Sequence, residues 1–181
     1  MKKTRRLVTA ALALAVIAAP VSCRRQAPRE EATIVESTES IKTYPFSDPD
    51  PVPIFARSSM WGRGTALYPY FFFTDFSTRG IDKEWTVVRL ENPFIRVAVL
   101  PQVGGKVWGA ADKRTGGDFL YTNRVLKFRE IALRGPWTSG GIEFNFGVVG
   151  HGPSTATPVD YAVRRNADGS VSCVVGALDL P

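Results

Sequence analysis

From Glu84 onward the chain is cut at short intervals by turn residues, and that spacing limits what it can build. Trp85 to Leu90 ends at Glu91-Asn92-Pro93, and Ile95 to Leu100 alternates with Arg96 outward before Pro101 and Gly104-Gly105. Lys106 to Ala111 runs into Asp112-Lys113-Arg114-Thr115-Gly116-Gly117, and Asp118 to Tyr121 leads back. Tyr161 to Arg165 and Val171 to Leu178, joined by Asn166-Ala167-Asp168-Gly169, form a further hairpin. Short strands at such spacing indicate an all-β chain, an antiparallel β-sandwich or barrel. The sixteen glycines and thirteen prolines spread along the 181 residues agree with this, and no amphipathic helix is expected after residue 30.

The formal net charge of +6 would suggest a nucleic-acid partner, but Lys2, Lys3, Arg5 and Arg6 carry four of those charges and leave +2. No basic stripe interleaved with aromatics survives in the remainder, so nucleic acid is not expected. The same four residues open an export-signal layout, with an apolar run from Leu7 to Ala19 and small residues before Cys23. That run is too short to span a bilayer as a stable helix. Pro20-Val21-Ser22-Cys23 resembles a lipoprotein processing site, although Pro20 stands where an aliphatic residue is usual; ordinary cleavage after a small residue such as Ala18 is the alternative. The expectation is a signal over residues 1–23, lipid on Cys23 and attachment to the membrane at the cell envelope; without the lipid the protein would be periplasmic or secreted.

Residues 24–40 have the composition of a polar tether, and residues 41–181 hold the folded domain. Ser40 to Phe46 reads as an edge strand and Ser47 to Pro53 as a proline-punctuated connector. Tyr68 to Phe76 is the densest aromatic cluster and reads as core. Cys173, in the alternating run Val171 to Val175, reads as a buried strand residue; with Cys23 lipidated it has no disulfide partner. A sandwich that stopped on the strand before Pro181 would leave an open hydrogen-bonding edge, so the sequence reads as the N-terminal part of a longer protein, with its sandwich incomplete.

Arg134 to Asp160 holds the one histidine, a glycine pair, a carboxylate and aromatics in one short run. Ile142-Glu143-Phe144-Asn145-Phe146 alternates, which reads as a strand with Glu143 and Asn145 on one face and Ile142, Phe144 and Phe146 toward the core. His151, between Gly150 and Gly152, lies on a loop that lets backbone approach a ligand, and imidazole suits proton transfer near neutral pH. Each residue has a plainer reading: His151 as a hydrogen-bonding loop residue, Glu143 as a solvated strand residue, Trp137 as core rather than a platform for a sugar ring. No glycine pair leads from a strand into a helix with nucleotide-binding spacing, no serine sits in a nucleophile elbow, and one histidine without a carboxylate cluster gives no zinc site. No cofactor or metal is implied. A histidine and a few carboxylates suit proton transfer at a sugar or hydrolysis of a glycosidic bond.

The runs Glu91 to Val107, Asp112 to Gly116, Arg134 to Trp137 with Ser139 to Phe146, and Pro158 to Tyr161 are together similar to an uncharacterised bacterial domain often found ahead of tetratricopeptide repeats. That domain resembles the galactose-mutarotase-like (aldose 1-epimerase-like) β-supersandwich, and the resemblance covers roughly Ile41 to Pro181. It implies a carbohydrate-related fold, with a sugar or oligosaccharide as partner; the fold hosts both catalytic and structural members. Mutarotases use a histidine and a glutamate as acid and base, and the glutamate lies late in that domain, so Glu143 does not simply inherit the role. On this reading His151 and Glu143 are the candidates for proton transfer, Arg134 and Asn145 for hydroxyl contacts, and Trp137 for stacking. The alternative is a non-catalytic module that packs against downstream repeats and serves protein assembly at the envelope.

Overall fold

The computed structural model describes residues 31–51, 53–57, 65–132, 135–145 and 154–178. Among them are eleven strands and no helix: β1 (Thr33–Tyr44), β2 (Pro53–Arg57), β3 (Thr65–Phe71), β4 (Ile81–Glu91), β5 (Ile95–Leu100), β6 (Lys106–Asp112), β7 (Asp118–Leu120), β8 (Leu126–Ala132), β9 (Gly135–Thr138), β10 (Asp160–Arg165) and β11 (Val171–Gly176). Seven form one sheet in the order β7-β6-β5-β4-β1-β8-β9, while β10 with β11 and β2 with β3 are separate hairpins. The all-β expectation holds.

β4 through β7 form an antiparallel meander because each turn sits where Asn92-Pro93, the glycine pair at 104 and 105, or Gly116-Gly117 interrupts the alternation. Asn92 closes the first turn, its side-chain oxygen accepting from the backbone N–H groups of Phe94 and Ile95. β1 runs antiparallel to β4 from Thr33 opposite Glu91 to Thr43 opposite Ile81. β8 then joins β1 in parallel, through Thr43 opposite Leu126 and Tyr44 opposite Lys127 alone. The sheet is therefore mixed rather than purely antiparallel.

The sequence expectation of an edge strand over Ser40 to Phe46 is corrected. β1 begins at Thr33, inside the stretch read as a tether, and lies between β4 and β8. Its polar composition is misleading. Ile34, Val35, Thr38, Ile41 and Thr43 favour extended backbone, and the strand alternates between exposed and partly buried residues with Thr43 alone buried, so serine, glutamate and lysine cost little there. Beyond the two positions shared with β8, no described strand pairs with its second edge over residues 33–42.

The core lies at one end of one sheet face. Trp85 and Val87 of β4, Leu100, Trp108, and Leu126 and Phe128 of β8 pack together under Val103 and Ala156. Phe46 meets Phe128 and Phe73 edge-on at centroid distances of 4.8 and 5.2 Å, and Phe76 packs against the same cluster. Phe73 and Phe76 thus join the core as read; the side chains of Tyr68 to Tyr70 lie outside the description. The Trp85 indole N–H donates to Thr43 Oγ1 at 2.9 Å, which satisfies both groups inside the core. Burying each such large apolar side chain contributes about 2 kcal/mol. Gly104, at φ +64°, carries the turn beneath the loop at 154–157; a Cβ there would stand 2.5 Å from the Ser154 carbonyl oxygen.

The opposite face carries the β10–β11 hairpin. Leu90, Val97, Val99 and Val107 face Val171 and Cys173 across an apolar space of about 370 Å³. Tyr161 Oη donates to Glu36 Oε2 at 2.5 Å and ties the hairpin to β1. Cys173 is half-buried in β11, and burial pushes its thiol pKa up.

Candidate functional site

Glu143, one of two carboxylates in the Arg134 to Asp160 stretch, faces inward. Trp137 Nε1 donates to Glu143 Oε2 at 2.7 Å, and Lys106 Nζ lies 3.7 Å from the same oxygen. The ammonium also donates to the Thr138 carbonyl oxygen at 2.5 Å and stands 5.9 Å from the Trp137 ring centroid. Lys106 is 1% exposed. Burial pulls its pKa down, and the carboxylate of Glu143 works against that pull.

The expected strand from Ile142 to Phe146 is also corrected. Ile142 alone bridges to Val107, with N–H to carbonyl bonds in both directions. Ile142 and Phe144, expected toward the core, are about half exposed while Glu143 is turned in; Phe146 lies outside the described residues. A buried ammonium and an indole N–H hold the carboxylate inside, and that outweighs the hydrophobic gain forgone by leaving two apolar side chains half exposed. Gly141 makes the entry: its φ is +67°, and a Cβ would lie 2.2 Å from the Val107 carbonyl oxygen. The backbone N–H of Gly141 donates to Tyr121 O, and Asn123 Nδ2 donates to the carbonyl and hydroxyl oxygens of Ser139, both at 2.7 Å. These bonds lock the 139–143 segment across β6.

The second cluster is open. A pocket of about 330 Å³ lies on one face of the large sheet. Ala98, Gly109, Ala110 and Ala111 line it with small residues, and longer side chains stand around them: Glu39, Lys42, Arg89 and Arg96 from β1, β4 and β5, and Asp118, Thr122, Asn123 and Arg124 from β7 and the segment after it. Register shifts at Ala98/Val99 and Ala110/Ala111 fall in this lining, where a bulge bends the strand and re-aims its neighbours. Gly109 admits Thr122, whose Oγ1 would lie 2.7 Å from a Cβ at that position. Arg89 grips Glu39 in a fork, Nε to Oε1 at 2.8 Å and Nη2 to Oε2 at 2.6 Å, and Ser37 Oγ donates to the same carboxylate. The Arg89 guanidinium holds the Glu39 carboxyl below the usual carboxylate range.

Of the site residues read from the sequence, Glu143 and Trp137 come together, but on Lys106, which the sequence reading passed over. Asn145 is exposed two residues further on. Arg134, His151 and Cys23 lie outside the described residues. The open pocket was missed entirely. Its available signal was long polar residues, Arg89 and Arg96, on strands whose neighbours Ala98, Gly109, Ala110 and Ala111 are all small.

What Lys106 and Glu143 can do is limited by their enclosure: the pair braces β6 to β9 and to the loop after it. The open pocket can bind. Its guanidiniums, amide, hydroxyl and carboxylate are groups that donate to and accept from ligand hydroxyls. Among the described residues no group of histidine, cysteine and carboxylates could hold a metal ion.

Residues 63–181, about two thirds of the chain, match the family described as Domain of unknown function (DUF5107). The chain is also similar to the crystal structure of a TPR-domain containing protein from Parabacteroides distasonis ATCC 8503, with a TM-score of 0.64 and 26% sequence identity. That match covers 77% of this chain and 23% of that one, so the chain spans about a quarter of the length of the solved protein.

Proposed function

The chain belongs to the DUF5107 family, and we propose that its domain binds a sugar or oligosaccharide in the open pocket of the seven-stranded sheet. The observation that carries the reading is that pocket: about 330 Å³, within the range of small-molecule sites, floored by small residues and ringed by arginine, asparagine, threonine and aspartate. Planar side chains with paired donors or acceptors match the adjacent hydroxyls of a sugar ring. The reading takes the sheet as part of a galactose-mutarotase-like supersandwich spanning residues 41–181. Proton transfer by His151, assisted by Glu143, is its finer part, with Arg134, Asn145 and Trp137 as ligand contacts. The enclosure of Glu143 by Trp137 and Lys106 favours a supporting place for that carboxylate. The reading also includes export by residues 1–23 and lipid on Cys23, which would place the domain at the cell envelope.

Calorimetric titration of the full chain with neutral and acidic mono- and disaccharides tests the proposal. Saturable binding to at least one sugar, lost in Asp118→Ala without a change in melting temperature, is the expected result. No saturation with any sugar of the panel sinks it. Exchange between anomers, followed by NMR with and without His151→Ala, tests the catalytic part. Metabolic labelling with radioactive palmitate in wild type and Cys23→Ala tests the anchor.

A second reading, an assembly module packing against helical repeats, is favoured by a separate observation. Phe119 and Tyr121 are more than 60% exposed, and Ile142 and Phe144 about half, on the two short segments that edge β6. Replacing Phe119 and Phe144 by serine would abolish such an association and leave sugar binding intact.

A further inference from the structure

We propose that the open pocket selects a sugar bearing a carboxylate, a uronic acid or a glycan containing one. The inference rests on the carbohydrate reading and is carried by the way the charges there are already paired. Four cations line the pocket, Lys42, Arg89, Arg96 and Arg124, against two carboxylates, Glu39 and Asp118. Both oxygens of Glu39 are taken by Arg89. Glu91, which stands opposite Arg96 in the β4–β5 ladder, is held by Lys113 at 3.1 Å. Among the described residues neither Arg96 nor Arg124 has a carboxylate within ion-pair distance.

Two guanidiniums and one ammonium therefore share a single carboxylate, that of Asp118, across a concave surface that concentrates their field. A neutral sugar would leave this surplus unanswered. An anion answers it, and a guanidinium fork fits a carboxylate through two parallel hydrogen bonds. Asp118 sets the limit on the other side: it accepts from ring hydroxyls while repelling a doubly charged group twice as strongly as a singly charged one. A monoanionic, hydroxyl-rich ring satisfies both features, and a bare phosphate dianion satisfies only one.

Calorimetry of the full chain with three matched pairs, galacturonate and galactose, glucuronate and glucose, mannuronate and mannose, with inorganic phosphate as a further arm, tests this. The expected result is that one uronate binds at least about ten-fold more tightly than its neutral partner, that the advantage shrinks at high salt, and that Arg96→Gln or Arg124→Gln brings the two to parity. Equal affinity within every pair overturns the inference and leaves the carbohydrate reading standing. Phosphate binding as tightly as the best uronate also overturns it, since the pocket would then be an anion site without sugar recognition. Binding of nothing overturns the carbohydrate reading itself. Should Arg96→Gln lower the melting temperature, Arg124→Gln, on the exposed segment between β7 and β8, decides the matter.

Discussion

Lys106 on β6 and Arg96 on the neighbouring β5 belong to one sheet, yet Lys106 is sealed against Glu143 and the Trp137 indole while Arg96 stands in an open pocket with no described carboxylate within ion-pair distance. A charge taken out of water must find a partner or be lost as a charge; a charge left in water can remain without one at little cost. The sealed pair therefore reports on how the fold is held, and the open cluster on what the surface can recognise. Depth within the same sheet separates the two roles.

The sharpest way to break this contrast is Lys106→Met, which takes the Lys106 ammonium away from the inward-facing Glu143 carboxylate. We expect a loss of about 4 kcal/mol in urea unfolding, with Lys106→Met combined with Glu143→Gln recovering part of it. A variant as stable as wild type would mean the corner is not a brace. The lowered Lys106 pKa adds a pH signature. Between the depressed folded value and the ordinary value of 10.5, the unfolded chain holds more protons, so stability rises with pH through that window. Below the window the cost of burying the ammonium is present in full. The stability of wild type relative to Lys106→Met should accordingly climb as pH rises toward 10.5.

Gly141→Ala tests the same corner through the backbone. The clash with Val107 and the positive φ together should cost about 3 kcal/mol, seen as a lowered urea midpoint and loss of the Trp137 fluorescence environment. Arg89→Met tests the open cluster's own pair. Both partners are about a third exposed, so the loss should stay below about 1 kcal/mol. Because Glu39 titrates below its ordinary 4.5, that contribution is complete above the ordinary value and disappears as pH falls through the folded one. Smallest of all, Arg124→Gln should change stability by less than about 0.5 kcal/mol, since among the described residues that exposed side chain makes no ion pair. A large loss there would erase the distinction between the clusters.

Period-two alternation made the meander legible: Ile95 to Leu100 has the same bounds in sequence and structure, and β6, β7, β10 and β11 differ by a residue or two at their ends. β8 carried the same signal, with Leu126 and Phe128 buried and Lys127 exposed between them, but it stands alone before Gly135 and was not recognised. The inward turn of Glu143 could not be read locally, because the lysine that draws it in is 37 residues away in sequence. The same holds for the open pocket. Glu39 and Arg89, separated by fifty positions, meet only once β1 and β4 are in register, so the cluster exists in the sheet and in no segment of the chain.

The second edge of β1 has a bearing on how this domain behaves in company. Over residues 33–42 its outward backbone amides and carbonyls meet no described strand, although the strand is interior to the sheet's order. An extended edge of that length is a template on which another chain can zip, including an identical one. The interleaved charges of Glu36, Glu39 and Lys42 act as gatekeepers, since a copy laid directly alongside would set like charges against one another. Solubility and correct assembly are thus coupled at this edge: what occupies it governs the concentration at which the domain stays single.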